Sequence, residues 1–304
     1  MGWFQTLCHV VAALALPPLV LGIINKTKAA FAGKVGPPVL QLYYDLFKLV
    51  QKRMVVSRTT SWVFFAGPVG AVVVGVLVSL LVPLGDHRAP VSFAGDMVLL
   101  VALLGLSRFL TVGAALDTGS PFEGMGAARE VTFAALAEPG LFLGLCALVV
   151  LSGQAALAPM LAAASQAWGA QAGTLALVLL GWFIVLLVEN CRIPFDDPNT
   201  HLELTMIHEV MILDHSGPLL AMALYGASMK LFLLISLLLA LCLPRTGNAP
   251  LDWGLFLAGV GAAAVLVGVV ESVIARLRLP RIPLLLVSAA LFTGFAFLLS
   301  LVKR

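Results

Sequence analysis

The segment 189–217, ENCRIPFDDPNTHLELTMIHEVMILDHSG, is where the chain concentrates side chains able to do chemistry. It holds six of the fifteen acids (Glu189, Asp196, Asp197, Glu203, Glu209, Asp214) and three of the five histidines (His201, His208, His215). Long apolar runs flank it on both sides. Carboxylates are costly to place at a membrane boundary, so those found there usually handle protons, carry ions or receive a docking partner.

A second acidic position lies deeper. Glu138, in VTFAALAEPGLFLG, stands about eight residues into an apolar run. Unpaired in hydrocarbon it would cost roughly 2.5–3.5 kcal/mol, so it must be neutral, paired or wet. Pro139 beside it frees a carbonyl and gives water a foothold. Glu138 therefore reads either as a group that loads and unloads protons or as a structural hydrogen-bond partner of another helix. Glu130 lies eight positions earlier on nearly the same helical face. It reads equally as a proton feeder to Glu138 and as a favourable acid at a helix start. Glu189 closes one apolar run, and Arg192 follows at i+3, near enough to pair. Lys230 and Arg108 are the basic groups deep in apolar runs, and each needs a partner carboxylate.

His201, His208 and His215 recur every seven residues, a spacing that would share one helix face. No H-E-x-x-H accompanies them: His208-Glu209 is followed by Val, Met, Ile and Leu. Titration between an acidic loop and a partner surface is the expectation, rather than a metal site. Asp214, His215 and Ser216 are adjacent and cannot form a triad. Nucleophile-elbow, P-loop and dinucleotide signatures are missing. The four cysteines (Cys8, Cys146, Cys191, Cys242) form no C-x-x-C, which argues for free structural thiols and against zinc or a cysteine-ligated iron–sulfur cluster. The chain reads as carrying no catalytic residue, metal or cofactor site of its own.

The elements that position these residues follow from composition. The sequence is 61% hydrophobic and only 11% charged, outside the range of soluble globular chains. We expect an all-α integral membrane protein, one transmembrane domain over 1–304, with eight helices at about 3–24, 61–83, 96–116, 131–152, 173–189, 217–243, 253–272 and 281–302. The first lacks a basic n-region and a cleavage site, so it is expected to be retained. The stretch 25–60 is too short to bury a core of its own, and 155–172 reads as a bland loop. Twelve Lys and Arg fall in the loops after helices one, three, five and seven, against Arg88 and Arg245 in the others. That bias predicts those four loops in the cytoplasm and both termini on the outer side of a cytoplasmic (inner) membrane.

Three motifs carry a resemblance. Glu189-x-x-Arg192-x-Pro194-Phe195-Asp196, with Glu203-Leu204 beyond, resembles the E-x-x-R-x-P-F-D-L-x-E-G-E-S-E-L loop of the subunit-1 family of respiratory complex I. Gln41-x-x-x-Asp45-x-x-Lys48-Leu49 after Gly36-Pro37, and Gly126-x-x-Arg129 followed by Glu138, resemble two further motifs of that family. The likeness spans essentially the whole chain. Where the quinone-using branch has acids at +10 and +12 from the first Glu, this chain has Asn199 and His201. Asp197 to Glu203, His208-Glu209, Leu213-Asp214-His215 and residues 124–140 instead look like the hydrogenase branch. Its members are the membrane anchors of energy-converting nickel–iron hydrogenases of the formate hydrogenlyase and hydrogenase-4 type.

The resemblance implies an anchor and coupling subunit. It would dock a cytoplasmic module of large nickel–iron, small and iron–sulfur subunits and join it to antiporter-like membrane subunits. The nickel–iron centre and iron–sulfur clusters would sit in those partners. Hydrogen evolution there would be linked to proton or sodium translocation. Glu130, Glu138, Glu189, Asp196, Glu203, Glu209 and Lys230 are expected to carry protons or coupling. Asp45, Lys48, Arg129, Arg192, Asp197, His201, His208, Asp214 and His215 are expected in the docking loops. The competing readings are the quinone-site membrane subunit of complex I and a free-standing ion transporter.

Overall fold

The computed structural model describes residues 3–85, 88–196 and 207–302. Asp197, His201 and Glu203 lie outside the described residues. Helices dominate and no strand forms among the described residues. Hydrocarbon offers backbone groups no water, and a helix satisfies them within one segment.

In chain order the helices are α1 (Trp3–Ala15), α2 (Pro17–Phe31), α3 (Gln41–Val50), α4 (Trp62–Leu81), α5 (Asp96–Asp117) and α6 (Pro121–Ser152). They continue as α7 (Leu157–Gln166), α8 (Trp168–Glu189), α9 (His208–Met211), α10 (Gly217–Cys242), α11 (Ala249–Val273) and α12 (Ile282–Val302). Seven of these (α4, α5, α6, α8, α10, α11, α12) are long and apolar enough to cross a membrane. The bent pair α1–α2 has the length and apolarity for an eighth span. The chain is an all-α, multi-pass membrane protein.

The structure departs from the sequence expectations in three places and adds a helix within 25–60. The first span is not one helix over 3–24: it bends by 46° where Pro17 and Pro18 interrupt the ladder, then runs on to Phe31. Proline at the first helical position lacks the N–H that the preceding turn would need. The fourth span starts at Pro121 rather than 131 and is 32 residues long. Glu130 is therefore inside α6, and the reading of it as a helix-start acid falls; Glu123 holds that place. The polar stretch 25–60 contains α3, whose Leu42 is buried while Tyr44, Phe47 and Val50 are exposed. The bland stretch 155–172 holds α7, mostly buried, and the start of α8, which has a non-helical residue at Gln171.

Helix α10 is the axis of the bundle, the most buried of the spans. Lipid is as apolar as leucine, so helices associate through close packing rather than the hydrophobic effect. A Cβ on Gly226 of α10 would lie 2.7 Å from the Cβ of Ala71 on α4, and one on Gly268 of α11 would lie 2.8 Å from Thr27 of α2. Only glycine permits either approach.

The ends of the bundle differ. At one, α2, α5, α8 and α11 finish while α4, α6, α10 and α12 begin. Asp117 there accepts from the Ser61 backbone N–H (2.6 Å) and hydroxyl (2.8 Å), and the Asp214 N–H donates to Glu123 (3.0 Å). The α11–α12 connection reaches the 190–196 loop through Leu277 N–H to Pro194 O at 3.0 Å. α1 begins and α12 finishes at the other end, so both termini fall on one side, as an even span count requires.

Candidate functional site: a buried charge cluster

Arg108, thirteen residues into α5, is the hub. Its guanidinium reaches three carboxylates from two helices. Nη1 donates to Glu138 of α6, Nη2 donates to Glu189 of α8 at 2.5 Å, and Nε lies 3.7 Å from Glu130 of α6. Lys230 of α10 stands 3.7 Å from the other oxygen of Glu189. The planar fork donates to acceptors on two helices at once and meets Glu130 through charge rather than a hydrogen bond. Three carboxylates face two cations, so the fully ionised cluster carries a net charge of −1. Glu189 is only 5% exposed and Arg108 10%, whereas the Glu138 side chain is 43% exposed at the surface of the chain.

A second cluster fixes the signature loop. Glu271, in the last turn of α11 with a fully buried side chain, lies 2.7 Å from Lys28 of α2 and 3.3 Å from Arg192. The Glu189–Arg192 pairing expected at i+3 is therefore not formed. Asn190 turns the chain after α8, and each of the two residues pairs with a different helix. Farther along the loop, Asp196 accepts from Ile207 N–H at 2.5 Å, closing across the undescribed segment.

Two cavities meet at this end. One of about 50 Å³ is lined by α4, α5, α6 and α10 and includes Arg108 and Glu130. The other, about 230 Å³, opens among α2, α8, α10 and the signature loop, and includes Asn25, Glu189, Arg192, Asp196 and Glu209.

The remaining sequence-selected residues separate by position. Asp214 and Lys48 are exposed, and Asp45 and Arg129 partly so, with Asp45 bonded to Gln41 at 2.9 Å. His208 and His215 turn inward. His215 stacks on Phe64 (centroids 4.0 Å apart, 12° between planes), and its Nε2 lies 3.3 Å from Phe64 O. His208 is in α9 and His215 precedes α10, so they share no helix. No group of metal-ligating side chains gathers among the described residues. The Cys191 Sγ donates to Glu130 at 3.6 Å, and burial pushes that thiol well above its ordinary range. Burial also raises Glu209.

His208 is held down to about 4, first by burial and then by the charges of Lys230, Arg192 and His215. An unfolded histidine takes its proton near pH 6.5, and the folded one does not until about pH 4. The unfolded state thus binds more protons in that window, so stability is complete above pH 6.5 and declines as pH falls. Acidifying to about pH 5 is expected to cost on the order of 2 kcal/mol through this residue. Thermal melting in detergent across that range reads it, and His208→Gln should flatten the response.

Arg108, Glu271 and Lys28 carry the geometry without having been selected as site residues. Arg108 was visible as a lone cation in an apolar run. Glu271 had a signal too, since an acid in a helix's last turn opposes the dipole and needs a cation.

The family described as NADH dehydrogenase, which is that of complex I subunit 1, matches residues 4–302. Hydrogenase-4 component C of Escherichia coli (strain K12) is 32% identical over 238 residues, 78% of this chain and 74% of that protein. Formate hydrogenlyase subunit 4 of the same organism is 28% identical over 305 residues, covering 98% of this chain and 97% of its own. Among solved structures, a chain of the membrane-bound sulfane sulfur reductase, an archaeal respiratory membrane complex, superposes with a TM-score of 0.84. That match covers 98% of this chain and 99% of the other at 20% identity, and it speaks to the fold alone.

Proposed function

The chain belongs to the complex I subunit 1 (NADH dehydrogenase) family, and from that premise we propose that it is the membrane anchor and coupling subunit of an energy-converting nickel–iron hydrogenase. Its likeness to formate hydrogenlyase subunit 4 over nearly the full length, and to hydrogenase-4 component C over 78% of the chain, supports the hydrogenase branch. The observation that carries the coupling role is the Arg108 hub. Three carboxylates and two cations in one cluster, buried except at Glu138, can take or release a single proton, and their balance responds to charge arriving from outside.

The loop-rich end faces the cytoplasm, following its excess of Lys and Arg; both termini are then on the outer side of the inner membrane. Asp45, Lys48, Arg129 and Asp214 lie towards that face and receive a soluble module holding the nickel–iron centre and iron–sulfur clusters. Arg192 and Asp196 act from beneath, holding the loop in shape. Asp197, His201 and Glu203 belong to the same loop by sequence. Glu138 is 43% exposed on the flank of α6, where bare lipid would cost roughly 2.5–3.5 kcal/mol. A second membrane subunit, antiporter-like on the family resemblance, covers that flank and continues the path for protons or sodium. Quinone chemistry is disfavoured by Asn199 and His201 at positions where the quinone branch carries acids.

A gentle detergent pull-down on this chain tests the reading. Co-purifying nickel with hydrogen evolution from a reduced artificial donor is the expected result. Flavin, iron without nickel and quinone-dependent oxidation of a nicotinamide donor would overturn it.

A further inference from the structure

The two cavities are separated by a partition to which three residues contribute to both sides: Ala227, Lys230 and His208. Ala227 has no polar side chain. Lys230 only donates, and it is engaged with Glu189. His208 alone of the three can accept at one nitrogen while donating from the other. Its Nε2 is shut off from bulk solvent and has no protein partner among the described residues, and the same holds for Asn190 Oδ1 at the larger cavity. Buried polar atoms of this kind are satisfied by water when the space is polar and roomy enough. Both spaces exceed the volume one water needs.

We propose that His208 is the proton relay between the two cavities, joining a hydrated vestibule beside Glu189, Asp196 and Glu209 to the compartment of Arg108 and Glu130. A hydrated proton on one side is taken up by the ring's bare nitrogen, leaving neutral water, and the other nitrogen releases its proton to water on the far side. One proton crosses and no charge remains on the ring; the ring then turns over about its Cβ–Cγ bond, which presents a bare nitrogen to the first side again without carrying a proton back. The ring's depressed affinity keeps it neutral at physiological pH, so it passes protons without trapping them. This inference rests on the coupling role proposed above and assigns His208 a place in the path rather than on the docking surface.

Chemical rescue tests it. In vesicles carrying the whole complex, His208→Ala is expected to assemble and to lose at least about tenfold of the ion movement that accompanies hydrogen evolution. Added imidazole, small enough for the enlarged space, should restore part of it. His208→Gln fills the site and hydrogen-bonds without relaying, and should stay impaired with or without imidazole. Wild-type ion movement in both variants would overturn the proposal, as would loss in His208→Ala that imidazole leaves untouched. If neither variant assembles, deuterium exchange at the His208 ring C2 position in the intact wild-type complex decides it: exchange shows water at the ring, and a ring that does not exchange overturns the relay. Vesicles in which even the wild-type complex moves no ions would refute the coupling role itself, and the exchange measurement would still judge the hydration of His208.

Discussion

Replacing Arg108 with methionine is expected to remove the complex from the membrane, or to leave a fraction whose hydrogen evolution moves no ions. The substitution strips Glu138 and Glu189 of their direct donor and leaves Lys230, at 3.7 Å from Glu189, as the one cation facing three carboxylates. Removing one partner of a buried ion pair typically costs about 3–5 kcal/mol, because the other charge stays buried without compensation. That is a large share of a membrane protein's margin and corresponds to a loss of roughly a hundredfold or more in the folding equilibrium constant. Arg108→Lys should rescue little, since one compact ammonium cannot span acceptors on two helices. The informative variant is Arg108→Met combined with Glu189→Gln. Two carboxylates against one cation restore the native net charge of −1. Assembly, read by membrane-bound complex on native gels, should recover substantially, whereas ion movement should not. Recovery of both would mean that the hub only holds the helices together.

Glu271→Leu is the second large effect. Lys28 and Arg192 converge on this carboxylate, and its loss leaves two partly buried cations facing each other. A penalty of about 3–5 kcal/mol is again expected, now localised where α2, α11 and the signature loop meet. The 190–196 loop would retain its Leu277 to Pro194 bond but lose the clamp on Arg192. Hydrogenase activity should therefore shift from the washed membrane fraction to the supernatant while this chain stays in the membrane. Glu271→Asp, shorter by one methylene, should retain much of the attachment. An unchanged partition of activity in Glu271→Leu would show that the clamp does not support the docking face.

Much of this architecture was legible in the residues. Apolar runs bounded the spans because hydrocarbon permits little else, and the motifs around Asp45, Arg129 and Glu189 pointed to the family. Glu130, Glu138, Glu189 and Lys230 stood out as charges in apolar surroundings, and the structure brings all four to Arg108 or to one another. What escaped was tertiary. Glu189 and Arg192 look paired at i+3, yet the chain turns at Asn190 and sends them to different helices. Glu271 and Lys28 are 243 residues apart in sequence, and no local pattern joins them. α7 was missed because a short, alanine-rich buried helix has no polar face to set its period. The break at Pro17-Pro18 was written plainly, but apolarity on both sides hid it.

The most direct measurement uses inverted membrane vesicles containing the complex, a voltage-sensitive dye and hydrogen evolution driven by a reduced artificial donor. Wild-type vesicles are expected to build a potential that an uncoupler collapses, and Glu138→Gln vesicles to evolve hydrogen with little or no potential. Hydrogen evolution without any potential in the wild type, or an equal potential in Glu138→Gln, would contradict the claim that this charge cluster couples the reaction to ion movement.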